Sequence, residues 1–317
     1  MRPFKLVPDN TNIPFLRYRV PAMAVSLLLI AASIALCFIN GFNLGIDFVG
    51  GQNVRVTLPR AVPIEEIRSR VDALGIGDAT IQQFGSPREI GIRTPLPEGG
   101  AGESNAAAAR VGNAVRQAYP GAVIGASDSV SGAVSNELFR KGAWALGLAM
   151  LGIALYIWFR FEWQFGVGAL FALFHDVALT LGFFALTQLE FDLNVVAAIL
   201  TIIGYSLNDT IVVYDRIREN MRKYRKMDMA GLLDLSVNET LSRTVATSLS
   251  LGLALTVLLV LGPEVIFGFT AAMLLGIVIG TFSSVYVSAA ILLWLRLKPD
   301  SFVTRDTGNA ERVGPRA

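Results

Sequence analysis

Six stretches of the chain, 20–39, 142–159, 163–186, 193–213, 245–261 and 266–295, are apolar for long enough to cross a hydrocarbon core about 30 Å thick. Hydrocarbon offers no hydrogen-bonding partner. Each backbone N–H and C=O in such a stretch must be satisfied inside it, and the local structure that does this is a helix. The chain is therefore expected to be a polytopic α-helical membrane protein, its polar residues gathered between spans or held inside the bundle for a reason. The composition agrees: 53% of the residues are hydrophobic and 16% charged, where a soluble domain carries about 25% charged residues. The sixth stretch exceeds a straight crossing, which predicts tilt or an interfacial start.

Lys and Arg in short loops are retained on the cytoplasmic side. Arg2, Lys5, Arg17 and Arg19 precede the first span, Arg160 lies between the second and third, and Arg216, Arg218, Arg222, Lys223, Arg225 and Lys226 follow the fourth. Arg296 and Lys298 follow the last, whereas the opposite loops around 190–192 and 263–264 hold neither Lys nor Arg. Six spans place all the basic segments on one side. Residues 1–19, a loop at 214–243 and a tail at 296–317 are thus expected in the cytoplasm. The first span reads as a signal anchor, because its apolar run is long and no Ala-x-Ala site follows it. Cys37, the single cysteine, follows the bulky Leu36 and reads as a packing residue, with no internal disulfide available.

Residues 41–140 form the one large polar segment, expected outside the cytoplasm. Strand-like runs at 52–58, 79–84, 89–94 and 122–127 alternate with helix-like runs at 63–74 and 103–119. The order β-α-β-β-α-β predicts an α+β, ferredoxin-like domain. The glycine run 99–102 reads as an entry to its second helix rather than a phosphate loop. No metal-ligand set, nucleophile triad or Walker motif is present, so the domain reads as a binding or mechanical element. Neither enzymatic activity, a cofactor, a metal nor a nucleic-acid partner is expected.

The spans themselves carry ionisable residues. A charged side chain at mid-membrane costs roughly 2.5–3.5 kcal/mol on insertion scales, so Asp209 should face the bundle interior or a water-filled path. Two readings stand: proton or ion coupling, or a protonated, hydrogen-bonded packing residue. Helical spacing puts Thr201, Tyr205 and Asp209 on one face with Asn208 beside them, and Gly168, Ala172, Asp176 and Thr180 on one face of the third span. His175, the only histidine, precedes Asp176, a pairing suited to a proton relay or to a contact between helices. Small residues recur every four positions at Thr244, Ser248, Gly252 and Thr256, and again at Gly276, Gly280, Ser284 and Ser288, predicting close helix packing. Arg243, entering the fifth span, is the strong cation nearest to either carboxylate. The basic run from Arg216 to Lys226 reads as a topology determinant and lipid-headgroup contact.

Four motifs together resemble the SecF family, the smaller partner of SecD in bacterial protein export. They are Gly45, Ile46, Asp47, Phe48, Val49, Gly50 and Gly51 after the first span; Phe174, His175 and Asp176; the run 204–220; and Leu241, Ser242, Arg243 and Thr244. One departure is the segment 129–134, which lacks the proline common in related turns. The resemblance implies a six-span half of a pseudo-symmetric assembly related to resistance-nodulation-division transporters, with SecD supplying the other half. It implies work beside the SecYEG channel, with YajC as a further candidate partner, on unfolded preprotein, driven by protons. It makes Asp209 the coupling carboxylate and Arg243 its charged neighbour, the attraction switching with proton occupancy. Gly45, Gly50 and Gly51 are implied as a hinge, through which, with 136–141, motion reaches the outer domain. A proton-driven exporter subunit and a passive assembly subunit are the alternative readings.

Overall fold

In a computed structural model of the chain, residues 7–8, 11–76, 79–84, 86–95 and 101–297 are described. Arg2, Lys5, Gly99, Gly100 and the tail from residue 298 onward lie outside that set. Six helices among the described residues are long and apolar enough to cross a membrane. They are α1 (Arg19–Ile39), which extends a 3-10 turn at Phe15–Tyr18, α5 (Gly132–Arg160), α6 (Trp163–Thr187), α7 (Leu193–Lys223), α8 (Met229–Leu261), and a last helix built in pieces. That last one is α9 (Phe267–Phe282), a π-turn at Ser283–Val287 and α10 (Ser288–Trp294). A π-turn lets one backbone bond slip and bends the helix.

The centre of the bundle is α6, α7 and α9, and glycine decides how closely they approach. A Cβ on Gly280 would stand 3.1 Å from Ser206 Cβ, one on Gly168 would stand 3.3 Å from Ser288 O, and one on Gly182 would stand 2.8 Å from Ser33 Cα on α1. Tyr214, with no exposed surface, packs its ring against Phe165 at 4.9 Å and Phe161 at 5.9 Å. The stripe on α8 behaves differently. Thr244 is buried, yet Gly252 has open space around it and Thr256 is exposed. Both α5 and α8 bury little of their apolar surface.

The segment 214–243 is not an irregular loop. α7 and α8 run through it as an antiparallel helical hairpin, leaving only residues 224–228 non-helical. Asn220 Nδ2 donates to Ser236 Oγ at 3.0 Å and Glu239 Oε2 at 2.6 Å, and Arg216 pairs with the same Glu239 at 2.7 Å. Asp228 caps α8 by accepting from the Gly231 amide. The N-terminal strap docks here: Asn238 exchanges two 2.9 Å bonds with the Ile13 backbone, and Asp234 accepts from the Leu16 amide.

Between α1 and α5 lies a separate unit. A short helix, α2 (Ile46–Val49), leads into β1 (Gly51–Thr57), α3 (Ile64–Asp72), β2 (Thr80–Phe84), β3 (Ser86–Thr94), α4 (Ala101–Ala118) and β4 (Val123–Val130). The four strands form one antiparallel sheet in the order β2-β3-β1-β4. Val54, Val56, Ile81, Ile90 and Ile92 of the sheet share a core with Ile67, Val71, Val111 and Val115 of the two helices. The segment lacking proline needs none, because Ser131 ends the sheet in an extended conformation and caps α5 by accepting from the Val134 amide.

Gly50 and Gly51 enter β1 at φ +73° and +117°, a region that L side chains avoid. A Cβ on Gly51 would also stand 2.8 Å from Thr94 O, whereas Gly41, at φ +63°, has nothing within 4 Å. Gly41→Ala is expected to cost about 1 kcal/mol of backbone strain. Gly51→Ala carries the steric clash as well and should lose roughly 3 kcal/mol. Chemical denaturation of the detergent-solubilised chain checks the difference; equal losses would show that Thr94 moves aside freely.

Candidate functional site

Asp209 is 2% exposed on α7, and its Oδ2 is buried without a hydrogen-bond partner. No ion pair joins it to Arg243 in this conformation. Arg243 is exposed on α8, where with Asn208, Asp215, Arg216, Glu219 and Glu239 it lines an open polar cavity of about 630 Å³. Its charge acts on Asp209 through space. One turn along α7, Tyr205 OH shares a 3.0 Å bond with Ser248 Oγ, which shares a 2.8 Å bond with Thr281 Oγ1, so a hydroxyl chain crosses α7, α8 and α9. That register brings Thr244 of α8 level with Asp209, and Thr244 Oγ1 is buried without a partner too. Thr201 does not join this site; it is exposed and donates to Ala197 O at 2.8 Å. Its spacing misleads because eight residues of α-helix turn about 80° beyond two full turns.

Asp176 is equally buried but contrasts with Asp209 in its bonding. It has no exposed surface, and its Oδ2 accepts from Ser206 Oγ of α7 at 2.5 Å and from Ser283 Oγ of the π-turn at 2.9 Å. Its Oδ1 lies 2.9 Å from His175 Nδ1. The carboxylate thus joins three helices at the point where the last one bends. His175 is 1% exposed, stacks on Phe282 with ring centres 6.3 Å apart, and leaves Nε2 unbonded. Ser206 and Ser283 were not distinguishable as partners from the sequence, where each is one small polar residue among many on apolar helices. Ser206 does lie inside the 204–220 motif.

The N-terminal end of α7 is tied to the sheet unit. Gly45 N–H donates to Phe191 O and Phe191 N–H to Asn43 O, both at 2.8 Å, a small parallel bridge between the Gly45 segment and the loop joining α6 to α7. Asp47 Oδ2 accepts from the Leu193 amide, the first residue of α7. Arg93 of β3 reaches across to Leu44 O at 2.5 Å and Glu190 at 2.8 Å, the side chains of Arg93 and Glu190 being 14% and 15% exposed. Gly45 is tight here, since a Cβ would stand 3.1 Å from Glu190 Oε1. Burial raises the Glu190 carboxyl above its ordinary value, with Arg93 opposing, and burial raises Asp192 likewise. Sequence reasoning missed this clasp because Arg93 and Glu190 stand 97 residues apart with no local signal. Among the described residues no cluster could hold a metal ion.

Residues 110–298 match the family description "Protein export membrane protein SecD/SecF, C-terminal", and residues 35–58 match "SecD/SecF GG Motif". The protein translocase subunit SecF of Rhodobacter capsulatus is 43% identical over 305 residues, 92% of each chain. That of Vibrio alginolyticus is 40% identical over 305 residues, 94% of each. Among solved structures, SecDF of Thermus thermophilus, described as a translocon-associated membrane protein, superposes with a TM-score of 0.83 at 37% identity. The match covers 93% of this chain and 40% of that one. SecDF in a super-membrane-facing form superposes less closely, at 0.67.

The clasp yields a measurable prediction. Arg93→Met strands the buried Glu190 and should weaken the junction by about 2 kcal/mol. Hydrogen exchange at the Gly45 and Phe191 amides would then speed up more than tenfold. The raised carboxyl means the closed clasp holds a proton more tightly than the open one. Protection should therefore fall as pH rises from the ordinary glutamate value through the raised one. Glu190→Gln should shrink that slope, leaving the part due to Asp192.

Proposed function

The chain belongs to the SecD/SecF family of protein-export membrane proteins, and from that premise we propose that it is the SecF half of a SecD–SecF assembly that couples proton movement to late steps of preprotein export. The observation that carries the reading is Asp209. A carboxylate buried in a membrane helix without a bond on Oδ2 is costly unless its protonation state matters, and a packing residue would be expected to bond as Asp176 does. A proton reaching Asp209 removes its attraction to Arg243, which sits at the mouth of a polar cavity. Such a change biases how α7 and α8 pack.

The partner follows from the same energetics. Asn208 and Arg243 are exposed on neighbouring helices, and facing them into lipid would be expensive. Helices of a SecD-like protein would cover this face. The order of the four strands with two helices on one side fits a ferredoxin-like domain, which we place outside the cytoplasm as a module that meets unfolded preprotein emerging from a SecYEG channel. YajC would join the same assembly. Motion at Asp209 has a direct route to that domain, because α7 begins at the clasp. Gly50 and Gly51 act in this reading as the fixed entry to β1, and Gly45 as the close-packed contact at Glu190. The His175–Asp176 pair serves as a contact between helices, with proton relay secondary.

Asn is nearly isosteric with protonated Asp, so Asp209→Asn should preserve folding and partner association while reducing gradient-driven export to the level without the protein. Arg243→Met should impair coupling as well. Normal gradient-dependent export by Asp209→Asn in partner-containing membranes would replace coupling with a packing role.

Topology is tested separately. With Cys37 replaced by Ala, a cysteine at the exposed Gln117 should react with an impermeant reagent outside spheroplasts, and one at the exposed Met227 should not. Labelling of the Met227 variant from outside would reverse the orientation.

A further inference from the structure

The α5–α6 corner meets the last turns of α7 around a cavity of about 490 Å³ lined by Arg160, Asp215, Arg218, Glu219, Arg222 and Lys223. Four of the six are cations. Arg160 and Arg218 both lie over the ring of Phe161, at 4.9 and 5.2 Å from its centre, so two guanidinium groups are held side by side. The carboxylates offset part of this charge: Asp215 pairs with Arg160 at 2.9 Å and approaches Arg218 at 4.0 Å, Glu162 lies 3.6 Å from Arg218, and Glu219 pairs with Arg216, outside the lining, at 2.7 Å. Arg222 and Lys223 stand exposed at the rim. With the nearby carboxylates engaged by Arg160, Arg218 and Arg216, Arg222 and Lys223 are the excess cations an incoming anion would meet.

The surroundings say which anion. Trp158, Phe159 and Trp163 flank the same corner and are 70%, 84% and 53% exposed. Large aromatics left bare at the end of an apolar helix sit at headgroup level, where their rings meet acyl chains and their polar edges meet water. Basic pockets at that depth between helices bind lipid phosphates. We propose that this pocket binds the phosphate headgroup of an anionic phospholipid, held by Arg160, Arg222 and Lys223, with the acyl chains lying along Trp158, Phe159 and Trp163. The site rests on the membrane placement of the helices and is independent of proton coupling. Occupancy would fasten the α5–α6 corner to the inner end of α7, the helix that carries Asp209.

Tryptophan fluorescence of the full chain reads this site directly once Trp144 and Trp294 are replaced by Phe, leaving Trp158 and Trp163 as reporters. The protein is reconstituted in phosphatidylcholine vesicles containing a minor fraction of either brominated phosphatidylglycerol or brominated phosphatidylcholine. At low salt the anionic lipid should quench at least about fivefold more effectively per mole, the preference expected from a single unscreened cation. Arg222→Gln with Lys223→Gln should bring the ratio close to one. Asp215→Asn, which frees Arg160 from its pair, should raise it. Equal quenching by the two lipids in the parent, an unchanged ratio in the double variant, or no rise in Asp215→Asn would each overturn the site. Loss of the preference on adding inorganic phosphate at constant ionic strength would overturn the lipid assignment in favour of a soluble anion. The assay contains no export step, so its failure leaves the proposed function standing.

Discussion

A polar group inside hydrocarbon has no solvent to fall back on, and the arrangement of this protein follows from how each such group is satisfied. Hydroxyls on the helices mostly bond back to their own chain, as Thr180 does to Asp176 O and Ser288 to Ser284 O. Asp176 is satisfied across helices instead, by Ser206, Ser283 and His175. Its three neighbours fix the contact of α6, α7 and the bent last helix, so the buried carboxyl is part of the packing. Asp209 stands under the same constraint and lacks the same solution at Oδ2. Two carboxylates on adjacent helices thus differ in kind: one is bonded from two other helices, and the other is buried with its Oδ2 unbonded.

α7 connects the regions that matter. Its 31 residues span about 46 Å at 1.5 Å per residue. Its first amide is held by Asp47 from the segment leading into the sheet. Its middle carries Asp209, and its last turns carry the basic pocket and the bonds to α8. A helix of that length transmits displacement along its axis with little loss, because every turn is braced by backbone bonds. Under the coupling proposed above, α7 is the element that links Asp209 to the clasp, where Arg93 and Glu190 are paired.

The bundle is also visibly one-sided. α6, α7 and α9 bury about half or more of their surface within the chain, while α5 and α8 do not. Polar residues lie on the bare faces, among them Asn208 and Arg243. Lipid is a poor cover for these, and a second set of helices is a good one. The superposition on 40% of a SecDF chain, with most of this chain covered, is consistent with that geometry.

What the sequence determined by itself is whatever depends on composition and local period. Apolar length set the six long helices, since lipid leaves no other backbone structure, and alternation with turn residues set the β-α-β-β-α-β order of the sheet unit. The odd carboxylates Asp176 and Asp209 were legible because any charge in an apolar run is conspicuous. Tertiary structure decided which of them is satisfied. Ser206 and Ser283 bond Asp176 from two other helices, and Glu190 meets Arg93 from a distant strand, because side-chain partners are fixed by packing in three dimensions and carry no periodic trace. The same reason removed Thr201 from the face of Asp209 and turned the segment 214–243 into a helical hairpin: helical twist accumulates over several turns, and polar residues such as Asn220, Ser236 and Glu239 extend helices beyond the membrane only when they find one another.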